Sequence, residues 1–145
     1  MQTFKVPIDI FEAICIHAQH SLPEEACGLI AGLLNRAEKF VAVTNVLHSP
    51  TAYQMDAREQ ITAFQQIESA GLELIGIIHS HPNGPARPSL TDIKMVAYTE
   101  VANFILSRVN GQWNLHAFSI DETGVEEIQI LWLNTYPQPN NSARN

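Results

Sequence analysis

The apolar positions of this chain change period several times, and each change marks an element. Phe4 to Val6 reads as a short opening strand. Phe11, Ile14, Cys15 and Ala18 then recur at helical spacing, predicting a helix from Asp9, with Glu12 in the capping-box position, to about His20. Ala26 to Leu33 is almost wholly apolar and carries Gly28 and Gly32, which suits a central strand that other backbone approaches closely. Lys39 to Val46 is rich in β-branched residues and reads as the next strand. Ala52 to Met55 is a short strand or edge segment. Asp56 caps a second helix, with Glu59 in the box position. Ile61, Phe64, Ile67 and Ala70 form its buried face and Gly71 its end.

The run from Glu73 to His79 predicts a buried strand, and a third helix is expected from Thr91 to about Glu100, with Ile93, Val96 and Ala97 inward. Asn103 to Val109 and Trp113 to Ile120 are strands joined at Asn110-Gly111, a strong hairpin signal, and Val125 to Leu133 is the last strand. Three helices and six to eight strands give one α/β or α+β layered domain spanning residues 1–134, with a polar, frayed tail at 135–145.

Composition narrows the function classes. The chain has 145 residues, 46% hydrophobic and 16% charged, as expected of a globular domain. A net charge of −7 with only 8 Lys and Arg argues against nucleic-acid binding, which needs a basic face. No run approaches the roughly 18 apolar residues of a membrane span. Residues 1–7 show no signal-peptide pattern, so the expected location is the cytoplasm. Cys15 and Cys27 form neither a disulfide framework nor a Cys-x-x-Cys zinc knuckle. His17 and His20 are expected at the surface near the end of the first helix; His48 and His116 are read as structural or incidental.

The chemistry concentrates between His79 and Asp92. Side chains at i and i+2 of a strand share one face, so His79 and His81 can converge on one ion at the end of a buried strand. Pro82 stops that strand. Asp92 begins the next helix. Two imidazoles and one carboxylate make a catalytic-type zinc set, three protein ligands with a fourth position open to water. Ser89-x-x-Asp92 has a plainer reading as a helix capping box, and the two readings are compatible. Glu25 stands at the mouth of the apolar strand that begins at Ala26.

His79-Ser80-His81-Pro82, followed by Pro88-Ser89 and Asp92, resembles the His-x-His-Pro-x₅-Pro-Ser-x-x-Asp motif of the JAMM/MPN+ zinc metalloproteases. Pro23 to Gly32 is similar to that family's glutamate-bearing strand, and Tyr53 to Asp56 to the segment before its second helix. The resemblance spans roughly residues 4 to 133. It implies a single JAMM/MPN-type domain with a central mixed β-sheet and about three flanking helices. It also implies that His79, His81 and Asp92 bind Zn²⁺, that Glu25 is the general base, and that Ser89 hydrogen-bonds the developing oxyanion or the water on the metal. Glu24 is the weaker candidate, since the family's glutamate aligns with the second of the pair.

The chain lacks long insertions after Asp56 and Asp92, so it resembles the compact prokaryotic members. The resemblance therefore implies hydrolysis of an amide bond after the C-terminal Gly-Gly of a ubiquitin-like or sulfur-carrier protein. The carrier's tail would lie as an added strand beside Tyr53 and Met55. The alternative is a non-catalytic, metal-stabilised MPN-type interaction module. Trp113 and Trp132 are candidates for the core or for a homodimer interface.

Overall fold

The computed structural model describes residues 3–96 and 99–134. Strands β1 (Thr3–Pro7), β2 (Cys27–Leu33), β3 (Arg36–Val43), β4 (Glu73–His81), β5 (Ala102–Val109), β6 (Gln112–Asp121) and β7 (Gly124–Leu133) accompany helices α1 (Ile8–Ser21), α2 (Ala57–Ser69) and α3 (Leu90–Lys94). The mixed sheet runs β1-β3-β2-β4-β5-β6-β7 and closes into a barrel, because β7 pairs in parallel with β1 from Thr3↔Gln129 to Pro7↔Leu133. The expected central sheet and three helices are present; closure is the addition.

Strands β2 and β4 sit at the centre of the site's architecture. β2 runs antiparallel to β3 on one side and to β4 on the other, and is buried on both faces. On one face Ile30 joins a core with Phe4, Val6, Phe104 and Leu106, covered by Ile14 and Ala18 of α1. On the other, Cys27, Leu29 and Ala31 pack with Val43 against Ala63 and Ile67 of α2. Two-sided burial explains why β2 reads as a continuous apolar run. Gly28 answers the expected close approach: a Cβ there would lie 2.5 Å from the Phe40 ring and 2.6 Å from the Val41 carbonyl oxygen.

Several boundaries differ from expectation for identifiable reasons. Helix α1 begins at Ile8 behind Pro7, and Asp9 accepts from the adjacent Ile10 amide instead of capping. Strand β3 starts at Arg36, earlier than expected, because Leu34 and Asn35 (φ 52° and 61°) form a two-residue turn directly after β2. Ala52 to Met55 is not a ladder strand; only Met55 bridges, antiparallel, to Asn45.

In α2 the buried stripe falls on Ala63 and Ile67 with Phe64 beside them, while Ile61 is 58% exposed and Ala70 is also exposed. Helix α3 is far shorter than expected and has no buried residue, though Val96 beyond it packs on Ile105, Phe118 and Ile120. Ala97 and the tail at 135–145 lie outside the described residues. The Asn110-Gly111 hairpin matches, with positive φ at both positions. Trp113 packs partly on the main core and donates to Gln19 at 3.1 Å; Trp132 stays 41% exposed with its ring edge-on to Phe11.

Gly28→Ala forces the Phe40 ring and the β3 backbone apart, and should cost about 1–3 kcal/mol. A denaturant titration that shows an unchanged midpoint would contradict this packing.

Candidate metal centre

Strand β4 delivers the histidines. Pairing with β2 on one side and in parallel with β5 on the other buries it, and Pro82, which has no N–H to give a ladder, follows at its end. Ile77, His79 and His81 alternate onto one face. His79 and His81 are 3% and 6% exposed.

Asp92 reaches them from α3. Ser89 is the N-cap: its hydroxyl accepts from the Asp92 amide at 3.0 Å, and the Asp92 carboxylate Oδ2 accepts from the Ser89 amide at 2.8 Å. This reciprocal box fixes the carboxylate before any ligand is considered. The same Oδ2 lies 3.1 Å from Nε2 of His79 and 3.1 Å from Nε2 of His81, and the two ring nitrogens are 3.0 Å apart.

A divalent ion fits this triangle. Tetrahedral ligands at zinc bond lengths of about 2.0–2.1 Å stand roughly 3.3 Å from one another, close to the separations observed. The second nitrogen of His81, Nδ1, lies 2.8 Å from the Pro85 carbonyl oxygen. Donating its proton there leaves the Nε2 lone pair facing the triangle. Tyr53 stacks on His79, centroids 4.6 Å apart and 21° between planes, and fixes that ring from the other side.

Charge state follows from these contacts. Burial lowers the His79 pKa and favours neutral imidazole. Burial acts the same way on His81, but hydrogen bonds to Asp92 and Pro85 outweigh it and raise its pKa. Burial would raise Asp92, yet the two histidines reverse this and hold it well below the usual carboxylate range.

Glu25 is on the neighbouring turn into β2 and is only 4% exposed. Its main chain is gripped from three directions: its amide donates to Ser49 O at 2.8 Å, Asn45 Nδ2 donates to its carbonyl at 3.0 Å, and the next amide, Ala26, donates to Ser80 Oγ at 2.7 Å. Its side-chain Oε1 is buried with no hydrogen-bond partner among the described residues. Burial pushes the carboxyl up to about 7, with His81 opposing and Asp92 adding to the rise. Such a group holds or releases a proton near neutrality, as a general base and acid requires. Glu24, by contrast, pairs with His48 at 3.0 Å on the surface.

A groove of about 410 Å³ opens beside this cluster, lined by Tyr53, Met55, Ile77, His79, Asp92 and Ile105 among others. The structure thus gathers His79, His81 and Asp92 into one cluster, sets Glu25 within electrostatic reach, and puts Ser89 at the cap and Tyr53 and Met55 on the groove wall. Sequence reasoning missed Ser80 and Asn45. Ser80 sits between the histidines and points away from them, so its only signal is a polar residue on the core face of a strand. Asn45 carries no signal beyond its place in the strand expected from Lys39 to Val46, which in the structure ends at Val43. His17, expected at the surface, is partly buried, with Nε2 3.0 Å from the Cys27 carbonyl oxygen. His116 pairs with Glu127 at 2.9 Å.

The family model described as prokaryotic homologs of the JAB domain matches residues 7–121. The CysO-cysteine peptidase of Mycobacterium tuberculosis is 33% identical over 132 residues, covering 88% of this chain and 90% of that protein. A probable TtuB-protein conjugate cleaving protease of Thermus thermophilus is 41% identical over 90 residues, 61% of this chain and 60% of that protein. Among solved structures, protein DSY2949 of Desulfitobacterium hafniense superposes with a TM-score of 0.83 at 30% identity, covering 92% of this chain and 94% of that one. AF2198, a JAB1/MPN domain protein from Archaeoglobus fulgidus, shares the fold at a TM-score of 0.59 and 18% identity, over 88% of this chain and 99% of its own.

A carboxyl whose pKa is raised on folding contributes stability below its ordinary value of 4.5, and that contribution is lost as pH rises through about 7. In metal-free protein, Glu25→Gln should therefore melt several degrees above wild type at pH 8, with the gap closing toward pH 5. Parallel melting curves at both pH values would contradict the burial of Glu25.

Proposed function

The chain belongs to the prokaryotic JAB-domain family and is a JAMM-type peptidase, and from that premise we propose that it hydrolyses the amide bond after the C-terminal Gly-Gly of a ubiquitin-like or sulfur-carrier protein. The observation that carries the reading is one juxtaposition: three ligand atoms within 4.8 Å of one another, beside a buried carboxylate oxygen that no described residue satisfies. An interaction scaffold has no use for an orphaned carboxylate. A hydrolase does.

His79 Nε2, His81 Nε2 and Asp92 Oδ2 would hold a zinc ion. Bound there, zinc supplies Lewis-acid polarisation of the scissile carbonyl and brings the pKa of water toward 7. Glu25, as carboxylate, accepts a proton from the attacking water at Oε1 and returns it to the departing amine. Its pKa near neutrality suits both transfers. Ser89 presents its hydroxyl at the start of α3, where it would donate to the oxyanion without leaving the cap. Tyr53 keeps His79 oriented and shields it from bulk water.

The relatives' names support the substrate class, since one acts on a CysO-cysteine adduct and another on TtuB-protein conjugates. A tail running along the groove would lie against Tyr53 and Met55. No helix among the described residues is long and apolar enough to cross a membrane, and the reading places the enzyme in the cytoplasm.

Wild type and Glu25→Gln should each bind one zinc per chain, with cleavage of a Gly-Gly-terminated carrier fusion reduced at least 10²-fold in the variant. Metal analysis beside a gel-based cleavage assay tests both halves; equal cleavage would remove Glu25 from its role. In wild type, kcat/KM should fall as the pH is lowered and the base becomes protonated; a profile with no acid limb would speak against it. Asp92→Ala should weaken zinc binding more than Ser89→Ala, and a competitive chelator titration giving the reverse order would overturn the ligand assignment.

A further inference from the structure

Asn45 is 5% exposed and uses its full hydrogen-bonding capacity. Its Nδ2 donates to the carbonyls of Glu25 and Ala52, both at 3.0 Å, and its Oδ1 accepts from the amides of Leu47 and Gln54, both at 3.1 Å. The Val46 amide donates to the Gln54 carbonyl at 2.9 Å, and the Asp56 amide to the Thr44 carbonyl at 2.9 Å. Along residues 52–56, then, the groups that face inward are Ala52 O, Gln54 N and O, and Asp56 N.

That alternation is the hydrogen-bond period of a β-strand. Half of its inner partners come from a side chain and not from a neighbouring strand. The backbone groups of Tyr53 and Met55 face the other way and make no hydrogen bond with any described residue. Both residues line the groove beside His79 and Asp92.

We propose that Asn45 is a positioning residue: its carboxamide substitutes for a neighbouring strand, turning the Tyr53 and Met55 backbone outward to pair with an extended substrate tail, and it ties that edge to the main chain of Glu25. The proposal rests on the reading that the groove takes such a tail. Its added content is the set of atoms that recognise the tail and the residue that aims them. The tail's own amides and carbonyls then supply the affinity at alternate residues, and the register between edge and Glu25 sets which peptide bond meets the base.

The test is a binding measurement in the Glu25→Gln protein, which does not consume the ligand. The probe is a fluorescent peptide that reproduces a carrier's extended tail and ends in Gly-Gly, alone and with single backbone N-methyl groups. With Asn45 present, methylation at alternate tail positions should weaken binding about tenfold, the equivalent of one hydrogen bond. Asn45→Ala should weaken the unmodified tail about tenfold and flatten the alternating pattern to below about twofold. A merely structural Asn45 would lower affinity uniformly and leave the pattern intact.

Asn45→Asp provides a second route should the alanine variant fail to fold. It keeps the two accepted bonds and loses the two donated ones, so the pattern should weaken without vanishing. Equal methylation losses with and without Asn45, or undiminished binding by both variants, would overturn the proposal alone if wild type cleaves the carrier fusion. No tail binding together with no cleavage would overturn the functional reading and this inference with it.

Discussion

The candidate site depends on one junction, where Ser80 on β4 meets Ala26 at the entrance to β2. The Ser80 amide donates to the Ala26 carbonyl at 2.9 Å, and the Ala26 amide donates to the Ser80 hydroxyl at 2.7 Å. Those bonds carry the β2–β4 pairing past the last ladder residue, Cys27↔His79. They set Glu25 beside the strand that bears His79 and His81. Without them Glu25 would keep its bonds to Ser49 and Asn45 but lose its direct tie to the histidine-bearing strand. The fifty-odd residues between Glu25 and the histidines matter to the site mainly because the sheet brings their ends together.

A second constraint is that most site groups serve a structural neighbour as well. Asp92 is both cap residue and candidate ligand, Tyr53 is both groove wall and stacking partner of His79, and His81 is held by the Pro85 carbonyl. Shared service makes the geometry stiff. It also sets limits on substitution, because few changes here would alter chemistry without altering the support.

Much of this was legible in the sequence, for physical reasons. His79 and His81 announced themselves because strand alternation and a following proline are local facts. Ser89 and Asp92 did so because a capping box is a four-residue signature. The β2 run was readable since two-sided burial erases polar positions. What stayed hidden was non-local. Barrel closure depends on β1 meeting β7 from opposite ends of the chain, and no short-range pattern encodes it. Asn45 and Ser80 work through partners about twenty and fifty-four positions away. The α3 boundary failed for a different reason: its apolar residues pack through Val96, past the helix, and the helix itself buries nothing. In α2, Phe64 and Ile67 pack inward as expected, while Ala63 is buried and Ile61 stays exposed.

The closed ring is not equally strong around its circumference. Between β1 and β3 the pairing narrows to Lys5↔Arg36, supported by the Lys5 amide donating to Asn35 O at 2.8 Å, while the other junctions run over five or more paired residues. A ring with one thin seam opens there first. Two strands, β3 and β2, separate the seam from β4, so breathing of the barrel is concentrated away from the histidines. Local opening free energies should then grade around the circle, lowest at the seam and highest across β2, β4 and β5. The histidine-bearing strand thus occupies the last part of the wall to loosen.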